Sequence, residues 1–185
     1  MADTTSFRNG FTMLIDGELF AIVEFQHVKP GKGSAFVRTR LKNVQTGAVL
    51  ERTFRSGDKV EEVRIDKRQM QYLYTETELY YFMDLDTFEQ LGIDKRTMGE
   101  AAALLKENEQ AFVLIARDKP IGVELPNFVE LEVTHTEPGV KGDTATGAVK
   151  PATLETGYQV MVPLFINRGD VLRIDTRTGD YVERV

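Results

Sequence analysis

Val28-Lys29-Pro30-Gly31-Lys32-Gly33-Ser34-Ala35-Phe36-Val37-Arg38-Thr39-Arg40-Leu41-Lys42 is a turn that runs into a strand. From Phe36 the residues alternate in character, the period of an extended chain. One face is therefore buried, while Arg38, Arg40 and Lys42 line the other. Upstream, Pro30 fixes φ and primes a turn. Gly31 and Gly33 flank Lys32 without side chains, so the backbone can turn sharply and leave one cationic arm at the tip. Before this stretch, Asp16-Gly17 supplies the positive φ of a tight hairpin between Phe11–Ile15 and Leu19–Phe25. After it, Thr46-Gly47 turns the chain into Val49–Phe54, and Ser56-Gly57-Asp58 turns it again into Val60–Ile65. Short strands with glycine turns over residues 1–65 predict a small barrel.

The same texture continues. Residues 66–127 form a second expected module, with tyrosine-rich strands at Met70–Thr75 and Leu79–Met83 and further strands at Ala111–Ala116 and Ile121–Leu125. Between them Thr97–Leu105 reads as one short helix, with Thr97 as N-cap and Glu100 three residues on as a capping box. A barrel with one short helix resembles an oligonucleotide-binding (OB) fold. Residues 128–185 give a third, again OB-like, module with strands at Phe128–Val133, Tyr158–Val162, Val171–Ile174 and Tyr181–Val185. The expectation is an all-β chain of three small barrels in an elongated arrangement. Modules of this size bury too little surface to be robust alone and should lean on one another.

Composition removes several function classes. The 185 residues include no cysteine and two histidines, His27 and His135, so thiolate chemistry and a histidine-rich metal site are not expected. Neither histidine sits in a nucleophile elbow or an HExxH motif, so no catalytic residue is assigned. Gly31-Lys32-Gly33-Ser34 lacks the upstream glycine of a phosphate loop. No cofactor is expected. The start lacks the apolar run of a secretory signal, and no stretch has the length of a membrane helix, so a cytoplasmic monomer without membrane contact is anticipated.

The net charge is −6, yet residues 27–55 hold Lys29, Lys32, Arg38, Arg40, Lys42, Arg52 and Arg55 against Glu51. Local charge decides whether a surface attracts phosphate. Lys29, Arg38, Arg40 and Lys42 are candidate RNA-backbone contacts; the solvated face of a hairpin would look the same from sequence. A second constellation, Lys141-Gly-Asp-Thr-Ala-Thr-Gly-Ala-Val-Lys-Pro-Ala-Thr-Leu-Glu-Thr-Gly157, exposes backbone at Gly142 beside Asp143 and Thr144. These could hydrogen-bond ribose or phosphate, or form an Asx-type turn in water. Tyr72, Tyr74, Tyr80 and Tyr81 could stack on bases or fill a barrel core.

The order of these motifs along the chain, with the ending Asp180-Tyr-Val-Glu-Arg-Val185, resembles elongation factor P over its whole length. That resemblance implies that the first barrel, residues 1–65, is SH3-like. It also implies a non-enzymatic translation factor that binds the ribosome between the P and E sites. It implies that Lys32 reaches toward the acceptor end of the P-site peptidyl-tRNA, within a loop shaped by Pro30, Gly31 and Gly33. A lysine-modifying enzyme often lengthens that residue in the family. It further implies that Gly142, Asp143 and Thr144 meet the small subunit and messenger RNA near the E site, beside ribosomal RNA. Relief of stalling at consecutive prolines is the expected outcome. Two other readings stay open: an elongation-factor-P-like paralogue, or a general RNA-binding β-barrel protein.

Overall fold

A computed structural model describes residues 1–139 and 147–185. The described residues form three sheets. In the first, β1 (Ala2–Asp3), β2 (Thr12–Ile15), β3 (Glu18–Val28), β4 (Phe36–Asn43), β5 (Val49–Arg55) and β6 (Lys59–Glu62) take the order β1-β6-β2-β3-β4-β5. In the second, β7 (Ile65–Glu76), β8 (Leu79–Asp84), β9 (Gln90–Asp94), β10 (Gln110–Ala116) and β11 (Lys119–Glu124) take the order β11-β10-β7-β8-β9. In the third, β12 (Phe128–Thr136), β13 (Val149–Leu154), β14 (Gln159–Pro163), β15 (Val171–Asp175) and β16 (Asp180–Arg184) take the order β14-β13-β12-β15-β16.

By compactness the chain divides into two units, Met1–Lys67 with Leu114–Gly122, and Arg68–Val113 with Val123–Val185. The first unit has a core of Phe7, Phe11, Met13, Phe20, Ile22, Val37, Leu41, Phe54 and Val60. Its aromatic centre is tight: the Phe7 and Phe54 rings meet edge-on with centroids 5.3 Å apart. A second cluster in this unit joins Val63, Leu14, Leu19 and Val44 to Ala116 and Ile121 of the β10–β11 hairpin. That hairpin turns on Arg117 and Asp118, both at positive φ (51° and 61°), with no glycine to signal it. Arg117 forms an ion pair with Glu61.

In the second unit the core of the third sheet includes Leu131, Val133, Leu154, Val162, Leu172 and Ile174, and it takes in Leu104 from the preceding helix. Two glycine turns expected from sequence are present: Ile15 pairs with Glu18 across Asp16-Gly17, and Gly57 adopts φ +90°.

Two expectations need correction. The helix anticipated over 97–105 is two short pieces, α1 (Lys95–Met98) and α2 (Ala101–Leu104), separated by Gly99 at φ +55°. Its N-cap is Asp94, whose carboxylate accepts from the Thr97 N–H at 2.9 Å and the Thr97 hydroxyl at 3.0 Å. Thr97 is thus the third helical residue, and Glu100 makes no side-chain cap. Asp94 takes the cap because it lies in extended backbone just before the first helical residue, whereas Thr97 is already inside the turn. The second correction is β13, for which no strand was expected. Pro151 faces Met161 of β14, but the β12 ladder ends at Thr136–Ala152, so its missing N–H costs no bond on that side.

Candidate nucleic-acid interface

β3 and β4 form a long hairpin whose last pair is Val28–Phe36, leaving 29–35 as the loop. The descending end is fastened, since the Ser56 N–H donates to the Ala35 carbonyl at 2.9 Å. Gly33 adopts φ +109°, whereas Gly31 has ordinary φ and open space where a Cβ would stand. Only one of the two glycines therefore uses the conformation that L side chains avoid. Lys29, Pro30, Gly31, Lys32 and Gly33 are all exposed. The loop leaves Lys32 exposed to solvent.

Below the loop β4 sorts its side chains as the alternation predicts. Val37, Thr39 and Leu41 are buried and Arg38, Arg40 and Lys42 exposed. Thr39, polar and buried, donates its hydroxyl to the Arg52 carbonyl at 2.7 Å. The cationic stripe is uneven. Arg40 lies in register between Glu24 of β3 and Glu51 of β5, so its charge is offset. Arg38 sits between Gln26 and Thr53, and Lys42 between Ala21 and Val49, so neither has a carboxylate directly opposite. Sequence distance hid this, because Glu24 and Glu51 reach Arg40 only through strand pairing.

Gly142, Asp143 and Thr144 lie outside the described residues. The flanking segments carry a feature the sequence reading missed. Lys150 is buried on the inner face of β13 and donates its Nζ to the Glu137 carbonyl at 2.7 Å. The signal was the alternation Lys150, Ala152, Leu154, which puts the lysine on the core side once β13 is seen as a strand. Gly139 packs against Leu164, where a Cβ would stand 3.0 Å from the carbonyl oxygen. His135 and Glu137 meet at 3.5 Å with both side chains largely exposed. The tyrosines divide. Tyr72 is buried, whereas Tyr74 and Tyr81 stack with centroids 4.9 Å apart and Tyr74 is 41% exposed.

Small consecutive β-sheets, the first raising a lysine on a glycine turn above basic residues, form an architecture found among translation factors. A solved structure described as eukaryotic translation initiation factor 5A from Methanococcus jannaschii is 27% identical with a TM-score of 0.52, covering 66% of this chain and 92% of that one. An initiation factor 5A family protein from Naegleria fowleri, 16% identical, shares the fold with a TM-score of 0.54 over 67% of this chain and 96% of its own. Three family descriptions match in succession: the elongation factor P (EF-P) KOW-like domain at 3–60, its OB domain at 65–123, and its C-terminal region at 129–184. Elongation factor P of Acetivibrio thermocellus is 58% identical over 185 residues, with both chains covered in full. That of Moorella thermoacetica is 59% identical over 184 residues, again covering 100% of each chain. The chain belongs to the elongation factor P family, a family of translation elongation factors.

Proposed function

We propose that this protein binds the ribosome between the P and E sites and promotes peptide-bond formation at consecutive prolines, acting without catalytic chemistry of its own. The observation that carries the reading is the exposed Lys32 amine at the tip of the β3–β4 hairpin, held by a loop that turns at Gly33. The chain acts as three modules, 1–65, 66–127 and 128–185. The first carries Lys32, with Pro30, Gly31 and Gly33 shaping its loop, toward the acceptor end of peptidyl-tRNA. Lys29, Arg38 and Lys42 hold RNA backbone, and Arg40 contributes less. The third presents Gly142, Asp143 and Thr144 to the small subunit and messenger RNA.

Proline is a constrained nucleophile and a strained acceptor. Pinning the peptidyl-tRNA end reduces the freedom lost on reaching a reactive geometry. The ammonium donates charge-assisted hydrogen bonds to the tRNA backbone. An extended lysine reaches about 6 Å from its Cα, given the bond lengths of a saturated chain. A modifying enzyme that lengthens Lys32 extends this reach, and the exposed amine is open to such an enzyme. Work on the ribosome places the protein in the cytoplasm. Acidic residues along 65–185 count against a general RNA-binding role, because free-RNA binders rely on basic surfaces throughout.

The test is translation of a Pro-Pro-Pro reporter in a reconstituted system. Lys32→Ala should abolish relief of stalling while circular dichroism stays that of the wild type. Equal reporter synthesis with the two proteins would refute the reading.

A further inference from the structure

The outer face of the second sheet has an organisation that the proposed RNA contacts leave unused. β8 is apolar at both parities. Phe82 points into the core and is 0% exposed, beside buried Tyr72 and Ile93. Leu79, Tyr81 and Met83 fall on the opposite face. There the register aligns Tyr74, Tyr81 and Gly92 in one row, and Glu76, Leu79 and Asp94 in the next. The Tyr74 and Tyr81 rings are stacked, 24° from parallel. Gly92 leaves room for the Tyr81 ring, since a Cβ there would stand 3.5 Å from its edge. Leu79 is 39% exposed. A solvated sheet face ordinarily carries polar side chains. This one carries an aromatic pair and a leucine.

The surroundings are mainly acidic, although Lys95 and Arg96 follow Asp94. Glu76 and Asp94 flank Leu79 directly, and Glu78 occupies the β7–β8 turn. At the other end of β8 the turn presents Phe88, 70% exposed and at φ +61°, in a segment with Asp86 and Glu89. That turn is rigid: the Asp84 carboxylate accepts from the N–H groups of Asp86 and Thr87, and its backbone pairs with Phe88 and Glu89. A bulky residue at positive φ is disfavoured, and such conformations persist where the surroundings fix them.

We infer that the outer face of β7–β9 is a docking surface for a basic polypeptide segment, whose arginines stack on the Tyr74–Tyr81 pair and ion-pair with Glu76 and Glu78. Guanidinium planes lie flat on aromatic faces and suit carboxylates. The same carboxylates repel phosphate, which disfavours RNA at this face although bases also stack on tyrosine.

Titration of the full chain with a short peptide of alternating arginine and alanine, followed by amide NMR shifts, tests this. Shifts should concentrate on β7–β9. The Tyr74→Thr/Tyr81→Thr variant keeps the net charge and strand preference, and should weaken binding roughly tenfold through the lost stacking. Leu79→Thr, at an exposed position, should weaken it about threefold through lost apolar contact. Unchanged affinity in the tyrosine variant would overturn the inference. If circular dichroism shows that variant unfolded, unchanged affinity in Leu79→Thr would overturn it instead. So would amide shifts on β7–β9 when single-stranded oligouridine is titrated alone into wild type.

Discussion

At the residue scale, Gly31 and Gly33 separate two uses of glycine that look identical in Lys-Pro-Gly-Lys-Gly. Gly31→Ala should leave stability unchanged, because its Cβ would enter open space at ordinary φ. Gly33→Ala meets a φ of +109° and should cost about 1 kcal/mol or more, measured by urea denaturation. If the loop positions Lys32, Gly33→Ala should also reduce relief of proline stalling while Gly31→Ala does not. Carboxylates supply a second residue-scale effect. Backbone N–H groups of Asp86 and Thr87 hold Asp84 below the usual carboxylate range, and those of Thr97 with its hydroxyl do the same for Asp94. The Arg177 guanidinium and its N–H lower Asp175. A carboxylate whose folded pKa lies below its unfolded value of about 3.9 contributes stability that is complete above that pH and is lost as pH falls through the folded value. The urea midpoint should therefore hold near neutrality and fall below about pH 4. Asp84→Asn should lower it at neutral pH and flatten its acid dependence.

At the scale of the element, alternation and turn chemistry made most strands legible. Phe36–Lys42 sorts into buried Val37, Thr39 and Leu41 against exposed Arg38, Arg40 and Lys42, as its pattern requires. Leu41→Ala should cost about 2–5 kcal/mol in denaturant unfolding and Arg38→Ala less than about 0.5 kcal/mol. What failed was information held outside the local window. The helix start was displaced because Asp94 closes a strand and caps a helix at once. Asp94→Ala should cost about 1 kcal/mol, and misassignment of the cap would show as no loss. β13 was not expected, and it carries Pro151, which the β12 register makes tolerable. The candidate site was legible as a lysine loop and a basic stripe. The placement of Arg40 between Glu24 and Glu51 was not, since pairing between distant strands creates it.

At the scale of the whole molecule, each unit borrows from a segment that composition would assign elsewhere. Leu104, at the end of α2, lies in the core of the third sheet. Lys106 follows it and donates to the Glu130 carbonyl at 2.9 Å, with Glu155 at 3.5 Å. Leu104→Ala should cost about 2–5 kcal/mol, as a core truncation does. Amide exchange of Val133 and Leu172, both wholly buried, should accelerate with it. Unaltered exchange there would show that the third sheet stands without the helix.

The packing of Ala116 and Ile121 on Leu14 and Leu19 has a further consequence during synthesis. A nascent chain displays Leu14, Leu19 and Val63 long before residues 114–122 are made. Until those emerge, half of that apolar cluster faces water and the N-terminal barrel waits unfinished. Assembly of this unit therefore does not follow the order in which its residues are polymerised, and a premature stop before residue 114 would release a barrel with a sticky flank.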